Sequence, residues 1–120
     1  AGEGDYFASS RLTRTQARDE AVSTLKELSE SDTADQSAKD DAAAQISALA
    51  DDTVAEANIE SLIRAKGYED AVVMLGDGSA NVVVAPPGGG LQAEDVAVIR
   101  DIVISETGMT AGQIKIVEAS

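Results

Sequence analysis

The chain has no cysteine, no histidine and no tryptophan. Without thiols there are no disulfides and no thiolate chemistry. Without imidazole there is no His-based metal site and no His general acid or base. A missing Cys does not name a compartment, though it fits an exported domain that avoids wrong pairing. Aromatic residues make up 2%, namely Tyr6, Phe7 and Tyr68, so a core must be assembled from Val, Ile, Leu and Ala. There is no apolar run of about twenty residues, the length a membrane-spanning helix needs. Positive charge is scarce, with 9 Lys and Arg against 22 Asp and Glu, a net charge of −13. Such a surface repels nucleic-acid phosphates and anionic lipid, which argues against a nucleic-acid partner. It attracts a basic or dipolar protein surface, and it also serves plain solubility.

What is present suits one α+β domain. The 120 residues are enough for one compact unit, and 43% are hydrophobic. The chain begins Ala1-Gly2-Glu3, without Met or a leader, the expectation for a processed piece whose upstream membrane anchor has been removed. Residues 5–31 are rich in helix formers, with Ala21, Leu25 and Leu28 on one face. The first half of this helix carries little apolar surface, which predicts weak docking on its own chain and hence a stalk over residues 1–35.

After a polar break at 29–36, a second helical stretch covers 37–66. Thr53 and Glu56 have capping-box spacing, which favours two helices meeting near residue 52 over one kinked helix. Gly67 suits a left-handed helix end, with Tyr68 folding back on Ile63. Two β-rich runs, 69–75 and 80–85, flank Gly76-Asp77-Gly78-Ser79, a hairpin signal. Pro86-Pro87 ends the second strand. A third helix is expected over 93–107, with Leu91 and Val96 at staple spacing and Gly108 closing it. Residues 113–118 alternate as a last strand, with Ile114 and Ile116 on one face. The order α-β-β-α-β predicts two helices covering one face of a three-stranded sheet, a core of about 65 residues within 36–120. The other face and at least one sheet edge are left for neighbours.

Few constellations carry chemistry. Arg11, Arg14 and Arg18 fall at i, i+3, i+7 on one helical stripe. They are either an anchor for an acidic partner or lipid headgroups, or a solvated face balanced by Asp5 and Asp19. Asp77-x-Ser79-x-Asn81 imitates a calcium loop but has Val82 where Gly is needed and Gly88 where Glu is needed. Pro86 to Gly90 precedes a helix start but lacks the Lys-Ser/Thr of a phosphate loop, and Glu94 and Asp95 would repel a phosphate. A Gly-x-x-Gly RNA clamp works with basic flanks, yet only Arg100 and Lys115 are basic beyond Gly67. Neither Ser-x-x-Lys nor Gly-x-Ser-x-Gly occurs. No catalytic residue, metal or cofactor is expected.

Tyr6-Phe7-Ala8, the three arginines, and the block Ile59-Glu60-Ser61-Leu62-Ile63-Arg64-Ala65-Lys66-Gly67-Tyr68 resemble stage III sporulation protein AH. Asp77-Gly78, Asn81 to Val84, Ile99 to Gly108 and Gln113 to Ile116 extend the resemblance over nearly the whole chain. It implies the ectodomain of a bitopic protein anchored in the mother-cell membrane. The domain would project into the space between mother-cell and forespore membranes and bind a SpoIIQ-like forespore protein in a channel-like sporulation complex. It also implies a likeness to ring-building modules of type III secretion, with copies side by side in a homo-oligomeric ring in the membrane context.

The expectation is thus a non-enzymatic assembly domain; the alternative is a peptidoglycan- or solute-binding module, which would need a concave polar pocket. Strand addition at a sheet edge gives the candidate partner residues Asn81, Val82, Val83 and Val84, and Ile114, Lys115, Ile116 and Val117. Arg11, Arg14 and Arg18 complete the candidate set.

Overall fold

In a computed structural model, residues 3–119 are described, with side chains from Tyr6 onward. The elements are α1 (Glu3–Ser29), α2 (Gln36–Ala65), β1 (Ala71–Gly76), β2 (Ser79–Val84), α3 (Ala93–Thr107) and β3 (Ile114–Glu118), with a 3₁₀ turn over Ala111–Gln113 before β3.

The α2 helix runs unbroken through the expected break. The Thr53 hydroxyl does not cap a new helix; it donates to the Leu49 carbonyl one turn back, 2.9 Å away. Burial explains the continuity. Glu56, Ile59, Glu60 and Ile63 form one buried face, and a break at 52 would interrupt its approach to the sheet. The helix ends as expected, with Gly67 at φ 103°. Tyr68 then packs against the core that contains Ile63 and donates its hydroxyl to Asp95 at 2.6 Å. Burial first, then that hydrogen bond and the nearby charge of Asp95, push the Tyr68 phenol up to about 12.

β1 and β2 form a hairpin with Gly76 opposite Ser79. The two loop residues, Asp77 at φ 52° and Gly78 at φ 71°, both take positive φ, as a type I′ turn requires. β3 pairs parallel to β2 after the α3 crossover, so the strand order is β1-β2-β3 with β2 central.

One face of the sheet offers Val73, Leu75, Ala80, Val82 and Val84 to Ile59 and Ile63 of α2 and Ile99 and Val103 of α3. These are fully or almost fully buried, which gives the two-layer core expected for the C-terminal half. On the opposite face Phe7 of α1, 1% exposed, packs with Val72, Ala85 and Ala119. So α1 is not a free stalk along its first turns. A single aromatic anchors its start beneath the sheet.

Candidate assembly interface

Edge strands carry unpaired N–H and C=O groups, and the two edges of this sheet treat them differently. β1 is one edge. Its outward groups belong to Ala71, Val73 and Leu75, and every one of them meets a side chain. Carboxylates accept from the N–H groups: Asp70 from Ala71 at 2.8 Å, Glu60 from Val73 at 2.9 Å, and Glu56 from Leu75 at 2.8 Å. Guanidinium groups donate to the carbonyls: Arg11 to Ala71 at 2.5 Å, Arg14 to Val73 at 2.6 Å, and Arg18 to Leu75 at 3.3 Å.

The same side chains pair with one another. Arg11 bonds Asp70 and reaches Glu60, Arg14 bonds Glu60 at 2.6 Å, and Arg18 grips Glu56 with both Nη atoms. Two antiparallel helices therefore stand in for a missing strand. The spacing makes this fit. Two residues of strand rise about 6.7 Å, and one helical i, i+4 step rises about 6 Å, so Glu56/Glu60 and Arg14/Arg18 keep step with Val73/Leu75.

The electrostatics follow from the geometry. Burial pushes the Asp70 carboxyl up, but the Arg11 hydrogen bond, the Ala71 N–H and the nearby Arg11 and Arg64 together hold it below the usual carboxylate range. Bonds to Asp70 and Glu56 hold Arg11 and Arg18 firmly protonated. Glu56 and Glu60 are 0% and 4% exposed, and no buried side-chain polar atom among the described residues lacks a partner. A buried carboxylate is tolerable only when paired and hydrogen-bonded, and here both conditions hold.

This changes the reading of the arginine stripe. Arg11, Arg14 and Arg18 are neither a solvated face nor a free anchor; all three point at the chain's own β1 edge and α2 carboxylates. The weak docking expected of α1 fails for the same reason, because these polar contacts add to the Phe7 anchor in holding it. Asn81, Val82, Val83 and Val84 require a second correction. They lie in the central strand, with β1 on one side and β3 on the other, so their ladder groups are used and they form no free edge.

The remaining candidates, Ile114 to Val117, do lie on an edge. Ala119 N–H bonds the Val84 carbonyl, so the odd positions of β3 face β2, and the backbone groups of Ile116 and Glu118 point away from the sheet. Beside that edge the sheet face opposite α2 and α3, which Phe7 of α1 covers in part, exposes Asn81, Lys115 and Val117.

The SpoIIIAH-like protein family matches residues 1–116. The chain belongs to that family. Its structure is similar to a chain in the structure of the SpoIIQ–SpoIIIAH pore-forming complex, with TM-score 0.84 and 26% identity over 96% of this chain and 98% of that one. It is also similar to the type III secretion system protein EscJ of enteropathogenic E. coli, with TM-score 0.55 and 24% identity over 63% of this chain and 51% of that chain. The second likeness shows a shared fold, which is the α+β architecture expected from the sequence. No curated protein sequence matches the chain.

In the sequence Glu60 and Asp70 carry no assigned role, and Glu56 only that of a helix cap beside Thr53. Their signal is periodic: Glu56 and Glu60 share a helical face with the core residues Ile59 and Ile63, where an acid must find a cation. No helix among the described residues is long and apolar enough to cross a membrane.

Proposed function

We propose that this SpoIIIAH-like domain is a non-catalytic assembly module that binds a SpoIIQ-like ectodomain by strand addition at the β3 edge, residues Ile114 to Val117. In this reading it lies between mother-cell and forespore membranes, tethered by an upstream anchor, and its copies stand side by side in a ring. The likeness to a chain of the SpoIIQ–SpoIIIAH complex over nearly its whole length supports the partner class. The observation that favours β3 is the asymmetry of the sheet: one edge is filled by its own side chains and the other has backbone groups to spare. The exposed face with Asn81, Lys115 and Val117 and the outer sides of α2 and α3 are the surfaces for neighbouring copies. Tethering raises local concentration enough to drive contacts that a free domain does not hold.

Ile116→Pro tests the edge, because it removes an outward N–H and no bond to β2. Partner affinity is measured with purified ectodomains, and circular dichroism checks the fold. Loss of binding in a folded variant is the expected result; unchanged affinity sinks the β3 assignment.

A further inference from the structure

Antiparallel α1 and α2 run on past the end of β1 at Gly76, so their distal halves project from the sheet as a two-helix hairpin. Rising positions on α1 meet falling positions on α2: Arg14 with Glu60, Arg18 with Glu56, then Ala21 near Leu49. Along this seam lies a largely apolar trough made of two adjoining open pockets of about 370 and 380 Å3. Ala21, Leu49 and Leu75 form the floor common to both. One pocket extends to Ala17 and Met74, the other to Leu25 and Ala48. From Ala17 to Leu25 the trough is about 12 Å long by helical rise, more than two turns of helix. Asp52 and Asp77 stand on its rim.

We propose that this acid-rimmed trough docks a basic amphipathic helix belonging to another protein. Three observations select that occupant. Ala17, Ala21 and Ala48 keep the walls low, and a seam between two antiparallel helices is the groove into which a third helix packs, at 8–10 Å between axes. The adjoining β1 edge has no ladder group left to offer, so an added strand gains nothing there. Arg14 and Arg18 also line the Ala17 end, but each is already paired with a buried carboxylate, Glu60 and Glu56; beyond them the charge is one-sided. From Asp19 to Asp52 the only cations are Lys26 and Lys39, against ten carboxylates. No ion pair among the described residues uses Asp52 or Asp77. Burial holds the Asp52 carboxyl above its ordinary range, with Arg18 opposing the shift and Glu56 and Asp51 adding to it. A second copy of this chain would set the same carboxylates against themselves, so the occupant is a different, basic protein. The surface is separate from the β3 edge and leaves that edge free.

Binding is read by anisotropy of a fluorescein-labelled synthetic helix with Leu at i, i+3, i+4 and i+7 and Lys elsewhere, added to the full chain. A matching helix with Glu for Lys is the control. The Lys helix binds and the Glu helix does not. Asp52→Asn and Asp77→Asn each weaken binding roughly two- to fivefold, the value of a rim charge pair. Ala48→Arg, at an exposed helical position, fills the trough and adds a cation, and it weakens binding at least about tenfold while circular dichroism is unchanged. Asp101→Asn on α3 removes a charge elsewhere and leaves binding intact. Equal binding of both helices, no binding of the Lys helix, an Asp101→Asn loss as large as that of Asp52→Asn, or indifference to Ala48→Arg overturns the proposal. Concentration-dependent dimerisation that Ala48→Arg abolishes also overturns it, by assigning the trough to a second copy.

Discussion

Along β1 the outward N–H and C=O groups of Ala71, Val73 and Leu75 all meet charged side chains, whereas along β3 no described hydrogen bond engages the outward amides of Ile116 and Glu118. Both are short strands at the margin of one small sheet. The difference lies in what stands beside them. β1 is flanked by α1 and α2, whose arginines and carboxylates interlock at the strand's own repeat; along the outer side of β3 the end of the 86–92 loop comes near, where Glu118 accepts from Leu91 at 3.3 Å. A free edge is a hazard unless it is used, and filling one edge with side chains directs pairing to the other.

Removing a member of the β1 ladder has the largest expected effect. Glu56→Ala leaves Arg18 without its carboxylate and the Leu75 N–H without an acceptor in a buried setting, and urea unfolding shows a loss of about 3–5 kcal/mol. Phe7→Ala empties the one apolar anchor of α1 on the far face of the sheet. It lowers stability by about 3 kcal/mol and speeds amide exchange in the first turns of α1 but not in β3.

A paired replacement sharpens the comparison. An ordinary buried ion pair exchanged for apolar residues of like size is often neutral or stabilising. Arg14→Met with Glu60→Leu breaks that expectation, because the Val73 N–H and C=O lose their partners too. The double variant is less stable than the parent by about 2 kcal/mol in urea melts.

Acid has the smallest effect. Asp70 has a depressed folded-state pKa, so its contribution is present above the ordinary carboxylate value of about 4 and fades as pH falls through its folded value. Asp70→Asn costs about 1 kcal/mol or less at neutral pH and flattens the acid limb of a stability–pH curve.

Much of this architecture is legible in the residues. Asp77-Gly78 fixes the hairpin because both loop positions need positive φ, and Gly67 and Gly108 mark helix ends for the same reason. The alternation of Ile114 and Ile116 locates β3. What escapes is whatever depends on partners distant in sequence. The arginine stripe is visible, but its carboxylates lie 38 to 59 residues away, and no local pattern joins them. Strand order escapes too: Asn81 to Val84 look like an edge until β3 is known to pair beside them. Thr53 misleads because a capping hydroxyl and a hydroxyl bonded back to Leu49 share one sequence spacing.

Amide hydrogen exchange at four residues tests the asymmetry most directly. In the free domain, Val73 and Leu75 at the β1 edge exchange slowly, although no strand lies beside them, and Ile116 and Glu118 at the β3 edge exchange fast. Adding a SpoIIQ-like ectodomain slows Ile116 and Glu118 and leaves Val73 and Leu75 as they were. Fast exchange at Val73 and Leu75 in the free domain, or partner protection appearing there instead of on β3, contradicts the account.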